Sequence, residues 1–270
     1  MLSAGTHTRA GMAFDRLAAD YDSLFTFSSI GRSQRDAVWR HVQAVFSPGS
    51  HILELNCGTG QDALFMARAG MSVTACDASA GMIEQARKRV AAEAPDARVR
   101  FVELPTEEVG RLPGAMRFDG VFSNFSGLNC VQDLKRVAQQ IAACLRPGAP
   151  LLLCFSTRYC VWEMVYFLLH GRPRKAFRRW GGVSEARIGE LRFPVYYPSL
   201  ARLRGTFAPE FRLVFATGIG ITVPPSYLEP WIARHPWLLR KMEALDHAVR
   251  GWFILRTCGD HMLLHLEKVR

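Results

Sequence analysis

The stretch HILELNCGTGQDALFMARAG, residues His51 to Gly70, constrains the fold more than any other part of the chain. It opens on an apolar run of strand length that carries one acid, Glu54. It then meets two glycines, Gly58 and Gly60, and becomes a helical pattern from Gln61 to Ala69. A buried strand that turns through glycines into a helix is the opening of a strand–helix–strand unit.

The alternation continues downstream. MSVTAC reads as a strand, and Ser79 to Ala92 as a helix with Met82, Ile83, Ala86 and Val90 on one face. RVRFVEL and FDGVFSN are predicted strands. Val131, Leu134, Ala138, Ile141 and Leu145 form another helical stripe, ended by Arg146, Pro147 and Gly148. APLLLCF is a further buried strand. Strands and helices of this length imply an α/β fold: a doubly wound, Rossmann-like, mostly parallel sheet with helices on both faces.

Upstream, Phe14, Leu17, Ala18 and Tyr21 recur at helical spacing, as do Val38, Val42, Val45 and Phe46, before SPGS breaks the chain. After Phe155 the rhythm changes, and Ser156 to Arg204 reads as a helical and loop insert. FRLVFATGIGITV is predicted as a strand or bent pair, YLEPWIARHPWLLRKMEALDHAVRGW as one or two helices, and HMLLHLEK as a closing strand.

Composition narrows the partners. The formal charge is +10, with five positive side chains between Arg172 and Arg179. That permits nucleic acid, an anionic membrane surface or an acidic small molecule. No stacking motif accompanies the charge, so nucleic acid is not favoured. The seven cysteines are odd in number and form no C-x-x-C pair, which points to reduced core residues and no metal site. His261 and His265 in HMLLH lack the glutamate of a zinc helix. The start of the chain has no signal-peptide pattern, and a cytoplasmic location is expected.

In doubly wound sheets the ligand lies beyond the C-terminal strand ends. Here the first strand delivers Asn56, Cys57, Gly58, Thr59 and Gly60, whose glycines let a ligand approach the backbone. Gly58-x-Gly60-x-x-Ala63 with Asp77 also fits a dinucleotide fingerprint, so a nicotinamide-dependent oxidoreductase is the main rival. Glu54 separates the two. A pyrophosphate gains nothing from a carboxylate there, whereas S-adenosylmethionine, with an ammonium and a sulfonium, does.

LELNCGTG resembles motif I of the class I S-adenosylmethionine-dependent methyltransferases of small-molecule type. VTACDASAGMIEQAR is similar to their second motif, FDGVFSNFSGLN to the fourth-strand motif, LRPGAPLLLCF to the fifth strand, and AFDRLAADYD to their lead-in helix. The resemblance implies S-adenosyl-L-methionine as cofactor, with Asp77 on the ribose hydroxyls and Met82 or Ala78 on the adenine. It also implies Tyr21 closing over the methionine end. The remaining expected contacts are Glu54, Asn56, Cys57, Gly58 and Gly60 in the turn, Leu104, Thr106 or Glu107 near the adenine amine, and Asn124 and Phe125 at the fourth strand. Arg32 or Arg35 could pair with the cofactor carboxylate, although a solvated helix face is slightly preferred.

Three departures stand out. Asn56 replaces the first motif glycine, Pro105 stands where many members place an aspartate, and SNFS replaces the N-P-P-[YF] tetrad. The last lowers a macromolecular acceptor. The chain is expected to be one domain, 1–270: an N-terminal helical lid (1–46), a cofactor-binding core (47–155), a substrate-cap insert (156–204), and C-terminal elements completing the sheet (205–270). No general base is evident. Tyr21, Asn129 and His170 are the catalytic candidates, with His41 a further residue of the right chemistry. The acceptor is expected to be a small molecule, such as an aromatic heterocycle, or alternatively a lipid-like quinone at the membrane surface. VWEMVYFLLHGRPRKAFRRW reads either as a cap helix over the pocket, the preferred reading, or as an interfacial helix in peripheral contact with anionic lipid. A non-catalytic S-adenosylmethionine-binding or membrane-scaffold protein remains the reading from another class.

Overall fold

The computed structural model describes residues 8–113 and 117–269. The element order begins with α1 (Arg9–Leu17), a π-turn at Asp22–Thr26, and α2 (Ser29–Val45). The alternating region follows as β1 (His51–Leu55), α3 (Gln61–Arg68), β2 (Ser72–Asp77), α4 (Ala80–Glu93), β3 (Val99–Glu103), β4 (Gly120–Ser123), α5 (Leu134–Cys144) and β5 (Pro150–Ser156). Residues 1–7 of the expected lid lie outside the described residues.

The insert holds α6 (Val161–Leu169), the short α7 (Pro173–Ala176), β6 (Val183–Ile188) and β7 (Leu191–Tyr196). Then come α8 (Leu200–Phe207), β8 (Phe211–Ile219), α9 (Glu229–Ile232), α10 (Pro236–Val249) and β9 (His261–Lys268). The main sheet has the order β3-β2-β1-β4-β5-β9-β8. β1 to β5 pair in parallel, and β9 runs antiparallel to both β5 and β8. Strand order therefore reverses between β1 and β4, where such sheets open a crevice at the strands' C-terminal ends.

Alternate strand residues feed two cores. Leu53, Leu55, Leu151, Leu153 and Phe155 pack with α5 and α8 on one face. Ile52, Val73, Ala75, Leu152 and Cys154 pack with α2 and α3 on the other. A sheet covered on both sides buries both sets of alternating positions, which is why the central strands read as nearly continuous apolar runs.

The insert departs from the helical and loop expectation. Residues Val183 to Tyr196 form a two-stranded antiparallel hairpin, with Ile188 opposite Leu191. The two-residue turn between them places Gly189 at φ +58°, a conformation that glycine adopts without steric cost. β6 is exposed and half-buried by turns, the signature of a strand with one wet face. FRLVFATGIGITV resolves into the single strand β8, irregular between Leu213 and Phe215. Among the described residues, no helix is long and apolar enough to cross a membrane.

Candidate functional site

A cavity of about 1060 Å3, counting its open mouth, lies beyond the C-terminal ends of β1, β2 and β4. Its floor is the turn after β1. Asn56, Gly58 and Gly60 all have positive φ, at 54°, 54° and 76°. Asparagine is among the few side chains that tolerate this region. Its Oδ1 accepts the Thr106 hydroxyl at 3.0 Å, which ties the turn to the segment after β3. The two glycines serve different ends. A Cβ at Gly58 would meet open space, whereas one at Gly60 would stand 2.8 Å from the Ala86 Cβ. Gly58 leaves room for a ligand, and Gly60 lets α4 pack close.

Asp77 ends β2 and faces the cavity. The Gly58 N–H donates to its Oδ2 and the Ser79 N–H to its Oδ1, both at 2.9 Å. Burial raises its pKa, and those two bonds oppose the rise. Ser79, not Asp77, caps α4, accepting the Met82 N–H at 3.0 Å. Asp77 is therefore a fixed carboxylate with lone pairs remaining for a ligand.

Glu54 lies beneath the turn and does not line the cavity. It shares a strand face with Ile52 and is 1% exposed, and its Oε2 has no hydrogen-bond partner. Burial first, and then the Asp62 charge, push its pKa well above the usual carboxylate range, against the pull of Arg35. An unpartnered buried carboxylate beside a ligand cavity is costly unless a cation or a proton joins it.

Asp62, in the first turn of α3, organises one wall of the cavity. It accepts Arg35 Nη1 at 2.5 Å, Trp39 Nε1 at 2.6 Å and Asn124 Nδ2 at 3.2 Å. The Arg35 guanidinium sits 4.8 Å from the Phe125 ring centroid, and its Nε is buried without a partner. Phe125 and Ser126 are consecutive non-glycine residues at φ +43° and +69°. Backbone in this region costs energy and persists where its surroundings fix it. Here Asn124 Oδ1 accepts the Phe125 N–H at 3.0 Å, and the Ser126 hydroxyl bonds that of Ser156 at 2.6 Å.

The roof is α1 and the π-turn. Thr8 to Gly11, Phe14 and Tyr21 line the cavity from above. Asp15 Oδ1 accepts the Ser79 hydroxyl at 2.6 Å and the Gly81 N–H at 2.9 Å. Asp22 accepts the Thr59 hydroxyl at 2.7 Å and pairs with Arg89, which also donates to the Thr59 carbonyl at 2.9 Å. Burial pushes the Tyr21 pKa up to about 12, so its phenol keeps its proton.

Of the residues expected from sequence, Tyr21, Asn56, Cys57, Gly58, Asp77, Ala78, Met82, Thr106, Asn124 and Phe125 line this one cavity, and so do Arg35 and Glu107. Gly60 and Leu104 stand behind its wall, and Leu104 is a core residue. Arg32 points away and donates to the Phe27 carbonyl at 2.7 Å. Two catalytic candidates lie outside. Asn129 is fully buried, donates to the Tyr196 carbonyl at 2.5 Å and accepts the Ser156 N–H at 2.9 Å, so it ties the hairpin to β5. His170 is exposed, with its Nδ1 on the Tyr166 carbonyl at 2.7 Å. His41 packs on Phe215, and burial lowers its pKa to about 4.

Sequence reasoning passed over Asp62, the Asp15 and Asp22 clasps, and Val131, which with Phe193 and Pro194 makes the far wall. Asp62 had a signal: an acid two residues after the glycine turn, at a helix N-terminus. Phe193 and Pro194 fall within the insert expected to cap the substrate, although the hairpin that carries them departs from the helical and loop expectation.

The comparisons with known proteins agree with this geometry. The family model described as a methyltransferase domain matches residues 52–148. A demethylmenaquinone methyltransferase of Clavibacter sepedonicus is 35% identical over 152 residues, 53% of this chain and 57% of that protein. A 2-phytyl-1,4-naphtoquinone methyltransferase of Trichormus variabilis is 32% identical over 147 residues, 50% of this chain and 59% of that one. The chain thus spans less than two thirds of both. A demethylmenaquinone methyltransferase of Mycobacterium marinum is 33% identical over 172 residues, 60% of this chain and 68% of that protein. Among solved structures, the [4+2]-cyclase SpnF superposes with a TM-score of 0.65 at 15% identity, over 98% of this chain and 97% of that one. This last likeness shows the fold alone, and its name shows that the fold does not fix the reaction. With the glycine turn, the acid that ends β2 and the strand order all in place, the match to the Mycobacterium marinum protein makes the chain a member of the class I S-adenosylmethionine-dependent methyltransferase family.

Proposed function

We infer that the protein transfers a methyl group from S-adenosylmethionine to a small, apolar, ring-bearing acceptor of the quinone class. The observation that carries the cofactor half is the pair of fixed acids around the glycine turn: Asp77 held toward the cavity, and Glu54 buried beside it with an unpartnered oxygen. Such a site favours a diol next to a cation. The open space over Gly58 fits a ligand that lies against the backbone.

When bound, S-adenosylmethionine supplies an electrophilic methyl on a sulfonium. In this reading Asp77 accepts the ribose hydroxyls, Ala78 and Met82 flank the adenine, and Thr106 and Glu107 stand near its amine. Arg35, through its free Nε, reaches the carboxylate. Glu54 and Asp62 supply negative potential under the methionine end. Tyr21 and Phe125 close the site and exclude water, so that the acceptor is held in line with the transferred group.

The acceptor half rests on the far wall and on the relatives' names. Phe14, Val131, Phe193 and Pro194 make that wall apolar. Among the described residues no histidine lines the cavity, and Tyr21 holds its proton. An acceptor that brings its own electron-rich atom, as a reduced quinone ring does, suits such a site. The curated relatives named above are methyltransferases of demethylmenaquinone and 2-phytyl-1,4-naphtoquinone.

The test has two steps. Calorimetric titration with S-adenosylhomocysteine, and separately with NAD and NADP, should give micromolar binding of the first alone. Labelled S-adenosylmethionine is then incubated with reduced naphthoquinones carrying a short isoprenoid chain, and label should pass into the ring fraction. Nicotinamide binding would overturn the cofactor assignment. Tight S-adenosylhomocysteine binding without transfer to any quinone would overturn the acceptor class.

A further inference from the structure

Helix α6 is amphipathic inside out. At 100° per residue, Val161, Val165, Leu168 and Leu169 share one stripe and Glu163 lies on the opposite side. The acid is the buried group, 1% exposed, while the leucines face outward, Leu169 at 81% and Leu168 at 47%. A helix folded only for its own core would place these the other way.

The buried side is fully explained by contacts. Glu163 accepts Arg178 Nε at 2.7 Å and Nη2 at 2.9 Å, and Arg179 Nη2 at 2.7 Å. Arg179 continues to Asp260 at 3.0 Å and sits 5.3 Å over the Tyr197 ring. Trp162 Nε1 donates to the Thr222 carbonyl at 2.9 Å. Two of the five cations in the basic segment are thereby neutralised internally. Arg172, Arg174 and Lys175 stay exposed at the C-terminal end of the apolar stripe.

At the other end, the Val161 N–H donates to the Cys258 carbonyl at 3.1 Å. The turn that leads to Cys258 projects Trp252, Phe253 and Ile254, exposed at 63%, 79% and 73%. An outward aliphatic stripe thus runs between an aromatic tip and a cluster of three cations. Aliphatic side chains enter the acyl boundary, aromatic rings suit the headgroup level, and lysine and arginine meet anionic headgroups.

We propose that this surface docks the protein on an anionic lipid bilayer through α6, the 252–254 tip and the cations of α7. The proposal rests on the acceptor reading above, because it gives a lipid-borne ring a route to the cavity. The chain already links the two: Arg179 joins α6 to Tyr197, which directly follows the hairpin strand whose Phe193 and Pro194 wall the cavity.

The experiment is co-sedimentation of the full chain with vesicles of phosphatidylcholine alone and of equimolar phosphatidylcholine and phosphatidylglycerol. Binding should be strong only to the second, and should weaken as salt rises. Replacing Leu168→Ser and Leu169→Ser together should lower the partition coefficient about tenfold. Neutralising Arg172, Arg174 and Lys175 to alanine should lower it on the order of a hundredfold. Each variant is first titrated with S-adenosylhomocysteine, and unchanged affinity certifies the fold. No binding of the unmodified protein to anionic vesicles overturns the proposal. So does a soluble dimer, seen by ultracentrifugation, that the leucine variant dissociates. Failure of quinone methylation with vesicle binding intact would sink the acceptor reading and leave the docking surface standing.

Discussion

Two glutamates, Glu54 and Glu163, are each 1% exposed and behave in opposite ways. Glu163 is held by two arginines. Burial alone would raise its pKa, but Arg178 and Arg179 hold it below the ordinary value. Glu54 has Asp62 and Asp77 near it as well as Arg35, an unpartnered oxygen, and a pKa that burial first and then Asp62 push well above the ordinary value. A saturated buried acid is a building element. An unsaturated one beside a cavity is a socket, and the difference lies in which charges the fold brings near.

The comparison would break first at Glu163. Glu163→Ala strands Arg179 with only Asp260 as a charged partner, and unfolding in urea should show a loss of about 3 kcal/mol. The matching change Glu54→Gln should leave the urea midpoint unmoved or raised. If both variants lose stability equally, the two acids are not different in kind.

Asp77→Ala comes next. It removes the acceptor of the Gly58 and Ser79 N–H groups and, in the proposed reading, of the ligand diol, and S-adenosylhomocysteine affinity in calorimetry should fall on the order of a hundredfold. Unchanged affinity would rule out the assignment of the β2 carboxylate.

The pH dependence sharpens the contrast. Glu54 is protonated in the empty fold over a window above the unfolded value of 4.5. The native state binds the extra proton there, so this group's contribution to stability falls as pH rises through that window. Glu163 is depressed, so its contribution is present above 4.5 and is lost as pH falls below it. A cationic ligand favours ionised Glu54. Binding of S-adenosylmethionine should release a proton, detected as a buffer-dependent enthalpy, and Glu54→Gln should abolish that release while weakening affinity about tenfold. The smallest effect belongs to Asn56→Gly. At φ +54° the change should alter stability by less than about 1 kcal/mol, and a thermal melt should barely move.

Much of this was legible in sequence, for a physical reason. A parallel sheet buried on both faces writes its strands as continuous apolar runs, and each helix between them carries its own stripe, so 47–155 could be read element by element. The turn at Asn56–Gly60 and Asp77 sit at strand ends, where sequence position nearly fixes spatial position. The hairpin was harder. Val183 to Tyr196 is a surface ribbon with weak alternation and a proline at 194, and its two-residue turn, Gly189 and Glu190, is a short signal. Asn129 and His170 were misplaced as candidates because polarity near a strand end or an apolar helix says nothing about which way a side chain turns. The pairing of Arg179 with Asp260 was illegible because the two lie some eighty residues apart in sequence.

The clasps of Asp15 and Asp22 bear on the order of events. Both fasten the roof to segments that border the cavity: Ser79 lies two residues after Asp77, and Thr59 sits between the two glycines. If the ligand enters under the roof, these bonds have to open before it can pass. Residence time would then be set at the roof as well as by the contacts beneath it. Weakening a clasp, as in Asp22→Asn, should hasten entry and exit by similar factors and leave the equilibrium constant nearly where it was.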